Sequence, residues 1–272
     1  MIDSHGDLPT SKPLTMPTPS AIQSVAWETG LQAVKDSANF DSFEAFAQHL
    51  RDGIRQNSEG TRQRYASLII KRLFPDRRLD GVITRAWKAY ADEAILADLV
   101  RVTTLEAEPV IARFVIEHIL SLPPGTVIEA ATFRDFVSAT YGVFKRDSYA
   151  RLQSALKHMG FIARSGETAV TQVLPRPSNA FLILLHARLA PTPRIVRVTD
   201  ILTPSQAAEN GAVNPAIPFW RLLGMGEEAE VRAILREAEG AGLIAKYAVV
   251  DQLEQITTRY ALDDYLAGAY RL

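Results

Sequence analysis

Two stretches of this chain, about eighty residues apart, repeat one another in outline, and internal repetition constrains a fold more tightly than composition does. The first is Ser154-Ala155-Leu156-Lys157-His158-Met159-Gly160-Phe161-Ile162-Ala163-Arg164. The second is Ala233-Ile234-Leu235-Arg236-Glu237-Ala238-Glu239-Gly240-Ala241-Gly242-Leu243-Ile244-Ala245-Lys246. Each reads as an amphipathic helix that stops at glycine and passes into a short apolar strand, with a turn and a second strand beyond. That order is the back half of a winged helix, a module that commonly lays its last helix in a DNA groove.

Composition sets the outer bounds. A chain of 272 residues has room for two or three small domains. Its 47% hydrophobic and 22% charged residues are those of an ordinary globular protein. No apolar run approaches the roughly 18 residues needed to span a bilayer. Phe181 to Leu185 comes nearest and is followed at once by His186 and Arg188. Residues 1–19, with Asp3, Asp7 and four prolines, have no apolar signal core and read as a disordered tail. The absence of cysteine excludes disulfides, thiol catalysis and Cys-ligated zinc, and suits a reducing cytoplasm, the expected location.

Net charge is only −1, but it is segregated. Residues 51–90 hold 10 Lys/Arg against 4 Asp/Glu, and residues 145–197 hold 9 against 2. The stretches around them are acidic: 2 against 6 in residues 1–50, 3 against 8 in 91–144, and 6 against 11 in 198–272. Basic blocks of this kind suit a phosphate-facing surface, because each neutralised phosphate releases counterion. Blocks that are contiguous in sequence need not converge in space, so ordinary variation between solvated faces is the plain alternative.

The resulting fold class is mainly α: a helical bundle over residues 20–105, a basic winged-helix-like α+β module over 106–190, and an acidic second one over 191–272. In the bundle the periodicity predicts helices over 22–35 and 58–74, and a long one over 79–105, either continuous or interrupted. Asp41 with Glu44 resembles a capping pair, as does Thr132 with Asp135 further on. Pro109 suits an early helix position, ahead of Ile111, Phe114, Val115 and Ile119. The helix over 147–159 carries the stripe Tyr149, Leu152, Leu156 and Met159. A wing hairpin follows, with strands over 161–164 and 169–174 and a turn at Ser165-Gly166, and a closing helix runs from Phe181 to Leu189. In the last module, prolines 191, 193, 204, 215 and 218 make the entry irregular. A short helix over 219–223, a helix over 227–241, strands over 243–250 and 255–260 and a final helix from Asp263 complete it.

No enzymatic motif emerges. There is no phosphate-binding Gly-x-x-x-x-Gly-Lys loop, so Asp92-Glu93-Ala94 is a chance run on a solvated helix rather than a helicase signature. Gly224-Met225-Gly226 precedes a helix and could present amides to an anion. Glu227, Glu228 and Glu230 would repel one, and a tight turn explains the glycines. The five histidines make no ligand pair, no serine sits in a nucleophile elbow, and Asp263-Asp264 suits the positive end of a helix. The expectation is a non-enzyme with no cofactor and no metal.

Binding features are clearer. On the 147–159 helix the face opposite the apolar stripe carries Arg151, Ser154 and His158, flanked by Gln153 and Lys157. Lys145 and Arg146 stand at its start and Arg164 on the wing. These side chains suit phosphates and base edges, although Arg151 and Lys157 are equally what a solvated face carries. In the bundle, Arg62, Arg64, Lys71, Arg72, Arg77 and Arg78 gather on one helix and its C-terminal end. There they either meet phosphate or complement the helix dipole. The second module's equivalent helix carries Glu227, Glu228, Glu230, Glu237 and Glu239 against Arg232 and Arg236, which suits protein docking better than DNA.

The pattern Ser58-x-x-Thr61-x-x-Arg64-x-x-x-x-Ile69-x-x-Arg72-Leu73, the passage from Ala94–Thr103 into Pro109–Leu120, and the ending Gly160-Phe161-Ile162-Ala163-Arg164 with Val173-Leu174-Pro175 together resemble the BrxA family (DUF1819) of bacterial BREX phage-defence systems. The resemblance spans residues 22–190 and leaves 191–272 beyond the usual family length. It implies a non-enzymatic, cytoplasmic accessory protein that binds double-stranded DNA, without membrane contact; any meeting with other defence proteins through the acidic module is an expectation from its charge alone. The DNA-binding residues would be Arg62, Arg64, Lys71, Arg72, Lys145, Arg146, Arg151, Ser154, Lys157 and Arg164. Two other readings stay open, a protein-interaction scaffold and a winged-helix transcription regulator with an effector pocket in the bundle.

Overall fold

The structure is a computed structural model that describes residues 21–56, 58–165, 168–203 and 217–272. The expected tail, the turn residue Gly166, and Pro204 and Pro215 lie outside them. The described residues are mostly helical, with two small three-stranded antiparallel sheets. No helix among them is long and apolar enough to cross a membrane.

Residues 21–26 form neither helix nor strand, so the first helix starts later than periodicity suggests. Ile22 and Val25 are buried, but Ala26 sits in the left-handed region at φ 47° and blocks helix upstream of it. Helix α1 (Trp27–Ser37) follows, then α2 (Phe43–Gly53) and α3 (Glu59–Leu73). The α2 cap is Ser42, whose hydroxyl accepts from the Ala45 amide at 3.2 Å. It displaces the expected Asp41 by one residue. The long helix is two, α4 (Val82–Tyr90) and α5 (Glu93–Ala107). Ala91 at φ 45° breaks it, and Asp92 caps α5 by accepting from the Ala94 and Ile95 amides.

Helix α5 is the spine. It packs against α1, α3 and α4, and its buried residues include Leu96, Leu99, Val100, Val102 and Leu105. A helix contacted from several sides is apolar around much of its girth, which blurs its periodicity. Helix α6 (Pro109–His118) has Pro109 in its first turn, as expected. A two-residue strand, β1 (Val127–Ile128), comes next and leads into α7 (Ala130–Tyr141). Thr132 therefore lies inside α7, and Glu129 holds the position expected of that threonine. Helix α8 (Arg146–His158) ends at Gly160, and β2 (Ile162–Ser165) and β3 (Thr168–Thr171) form the hairpin.

Helix α9 (Ser178–Leu189) buries every residue from Ala180 to His186 and packs on α5. It leads into β4 (Ile195–Arg197), α10 (Val198–Leu202), α11 (Phe219–Leu222), α12 (Glu228–Gly240), β5 (Ile244–Val250), β6 (Leu253–Thr258) and α13 (Leu262–Ala267). Helix α13 packs back on α4 and α9, and α11 on α5. Strand β4 and helix α10 carry too few residues to show a period.

The two sheets share one plan. Their orders are β1-β3-β2 and β4-β6-β5, each with the first strand against the third. Both long helices end alike. Gly160 (φ 82°) and Gly242 (φ 72°) turn the chain, and the next amides, Phe161 and Leu243, donate back to Leu156 and Ala238 at 2.9 and 2.8 Å. This is the Schellman geometry, which needs a residue at positive φ. The hairpins differ, since β5 and β6 are longer and meet through Asp251 and Gln252, both at positive φ. One hydrophobic cluster runs through bundle and both modules, from Ile22 to Leu266.

Candidate nucleic-acid interface

Helix α8 packs on α6 and α7, and its C-terminus is tied to α5. Arg101, buried on α5, donates from Nε to the Met159 carbonyl at the α8 C-terminus (2.9 Å) and pairs with Asp98. Burial raises the Asp98 carboxyl above its usual pKa, while Arg101 pulls the other way. Leu152, Ala155, Leu156 and Met159 face the core as expected, and Tyr149 is half-buried. Arg146, Asp147, Ala150, Ser154, Lys157 and His158 form the exposed face, and Arg151 is half-buried beside them. The Ser154 hydroxyl lies 3.3 Å from His158 Nδ1, and the Ser154 carbonyl lies 2.7 Å from it.

The expected residues divide by environment. Arg146, Lys157 and Arg164 are exposed, as are Arg64 and Lys71 on α3. Lys145 is half-buried, with Nζ 4.5 Å from the Tyr141 ring centre. Arg62 is half-buried and donates to the Gln56 carbonyl at 3.1 Å. Two side chains are withdrawn from the surface. Arg72 is 3% exposed, ion-paired with Glu108 and donating to the Ser24 carbonyl at 2.6 Å. Gln153 is 2% exposed and donates to the Tyr149 hydroxyl. Both lie on the inner side of their helices, where a polar side chain needs a partner in the protein.

The irregular segment 21–26 joins the two basic blocks. Arg151 on α8 donates to the Ile22 carbonyl at 3.0 Å, and Arg64 on α3 donates to the Gln23 side chain at 3.0 Å. These acceptors belong to consecutive residues, whose Cα atoms are 3.8 Å apart, so the two guanidinium groups lie no more than roughly 17 Å apart. That is of the order of one major-groove width plus its edges. The blocks are therefore neighbours. Nothing in the Gln23 region announces this, because an apolar pair at 22 and 25 reads equally as a helix start.

The second module handles its charges differently. Glu230 accepts from the Gly226 and Glu227 amides at 2.9 and 3.0 Å, forming a capping box with Glu227. Those amides are thus occupied, and Gly224-Met225-Gly226 is a turn. Arg232 bridges Glu228 and Glu254, Glu237 pairs with Arg176, and Glu239 accepts from the Tyr247 amide. Much of the acidity on α12 thereby holds its own module and ties it to the first. Clefts of about 420 and 380 Å³ lie on either side of the contact between Leu174 and Gly224, outside the bundle. Among the described residues no cluster of three or more His, Asp and Glu could hold a metal.

No protein-family model, curated protein or solved structure matches the chain. The site's geometry and charge therefore carry the functional argument.

Proposed function

We propose that this chain is a non-enzymatic accessory protein that binds double-stranded DNA, built from two winged-helix modules on a helical bundle. The observation that carries the reading is the meeting of the α8 and α3 basic faces across Ile22 and Gln23. In each module a first strand, helices, a long helix ending at glycine and a hairpin follow in winged-helix order. The exposed face of α8 would enter the major groove, with Ser154 and Arg151 nearest the bases. Arg146, Lys157, Arg164, Arg64 and Lys71 would take phosphates. Arg72 has no part in this surface. The work done is positioning or recruitment, with no bond made or broken, and the family resemblance suggests phage defence as its setting.

An electrophoretic shift on duplex DNA across a salt series tests it. Binding should weaken linearly on a log–log plot, and Lys157→Glu, Arg146→Glu and Lys71→Glu should each lower the slope by about 1. Absence of binding at low salt, or slopes unchanged by all three, would overturn the reading.

A docking role for the second module has its own support. Val249, Val250 and Leu253 are 63%, 47% and 49% exposed at the β5–β6 tip, and Glu228 and Glu237, although ion-paired, stay exposed on α12. A partner held there would co-purify through nuclease treatment and high salt.

A further inference from the structure

The turn between α7 and α8 reads Gly142-Val143-Phe144-Lys145-Arg146. Gly142 ends α7 in the left-handed region at φ 72°, and the two residues after it stand out from the surface. Val143 is 58% exposed and Phe144 43%, the latter meeting the Tyr149 ring edge-on at 5.7 Å. Adjacent exposed apolar side chains are unfavourable in water, and an apolar patch rimmed by charged groups is the usual form of a contact site.

The second module shows that the fold does not require them. Helices α8 and α12 have the same length and end at the same kind of glycine turn. Matched through Gly160 and Gly242, Val143 corresponds to Met225, Phe144 to Gly226, and the cations Lys145 and Arg146 to Glu227 and Glu228. Met225 is 1% exposed, packed into the core, and Gly226 has no side chain. One copy of the turn therefore closes on its own module beside carboxylates. The other holds two apolar side chains out beside two cations. Asp147, next in line, sits in the first turn of α8, where a carboxylate complements the helix dipole.

We propose that Val143 and Phe144 form a wedge that enters a base step of the duplex at the edge of the groove α8 occupies. This rests on the DNA-binding reading. Apolar side chains set among cations are how proteins unstack a step and kink a duplex, and a phenyl ring can replace the stacking that the base loses. Lys145 and Arg146 would hold the flanking phosphates and keep the wedge in register. The duplex preferred is then one already weakened at a step, because unstacking is cheapest at a mismatch.

The experiment uses the full chain, its Phe144→Ser and Val143→Ser variants, matched and centrally mismatched duplexes, and a fluorescent base analogue that brightens on unstacking. Anionic phospholipid vesicles form a separate arm. Wild type should brighten the analogue and bind the mismatched duplex about tenfold more tightly than the matched one. Each variant should lose both effects while keeping salt-dependent binding to matched duplex and an unchanged melting midpoint. Equal binding to the two duplexes by wild type, with no brightening, would remove the wedge and leave DNA binding standing. Binding to vesicles through Phe144 with no binding to any duplex would overturn both and assign the turn to a lipid surface.

Discussion

His186 shows how one side chain can couple this fold to pH. It is fully buried on α9 with its ring stacked 4.5 Å from Tyr265 of α13, and the backbone at Ala190 and Tyr260 offers its ring nitrogens only weak, poorly aligned contacts. Burial lowers its pKa below the ordinary histidine value. The phenols around it stay neutral, since burial pushes Tyr90 up to about 12 and raises Tyr265 as well. The unfolded chain therefore takes up the proton first as pH falls below about 6.5. Stability should be full above that pH and should decline toward the lower pKa of the folded state. Urea midpoints measured from pH 7.5 to 5 should fall for wild type and fall less for His186→Phe, which keeps the ring stack. Parallel curves for the two proteins would refute a role for this histidine. Arg72 teaches a related lesson, because its place on a basic helix suggested a phosphate ligand and its burial against Glu108 makes it structural.

At the scale of elements, glycine turns decide how helix passes into strand and how the modules touch. Gly224, at φ 95°, lies under Leu174 of the first module, and a Cβ there would come within 2.4 Å of Leu174 Cδ1. Gly125, at φ 83°, has nothing within 4 Å of such a Cβ. Gly125→Ala should thus cost about 1 kcal/mol from backbone strain alone. Gly224→Ala should cost about 2 kcal/mol, because Leu174 must also move. In a Leu174→Ala background the Gly224→Ala penalty should drop to the Gly125 level, a coupling that a double-mutant cycle in urea would read directly. Equal penalties in both backgrounds would mean that the seam is looser than its geometry. These turns were legible because glycine after an amphipathic run has a local cause. Strand β1, two residues long, left no periodic trace, and the breaks at Ala26 and Ala91 put a non-glycine residue at positive φ, which sequence rules do not anticipate.

Across the whole molecule, the continuous core implies cooperative unfolding. Helix α5 touches the bundle, α6, α9 and α11, and α13 returns to α4. Trp27 and Trp87 report on the bundle and Trp220 on the second module. Single-tryptophan variants retaining either Trp27 or Trp220 should therefore show the same urea midpoint. Two separated midpoints would show that the modules unfold independently. The amino-acid sequence by itself determined the helices with clear periodicity, the two glycine-ended copies, their hairpins and the segregation of charge. The helices, glycine ends and hairpins depend on residues within a few positions of one another, and the charge blocks on composition alone. Only the tertiary structure decided which charges remain at the surface. Arg151 and Arg64 meet the chain at Ile22 and Gln23, Arg72 turns inward to Glu108, and α12 ties up much of its own acidity. The physical reason is distance along the chain. A charge's environment is set by partners tens of residues away, and periodicity reveals the face of a helix but not what comes to lie against it.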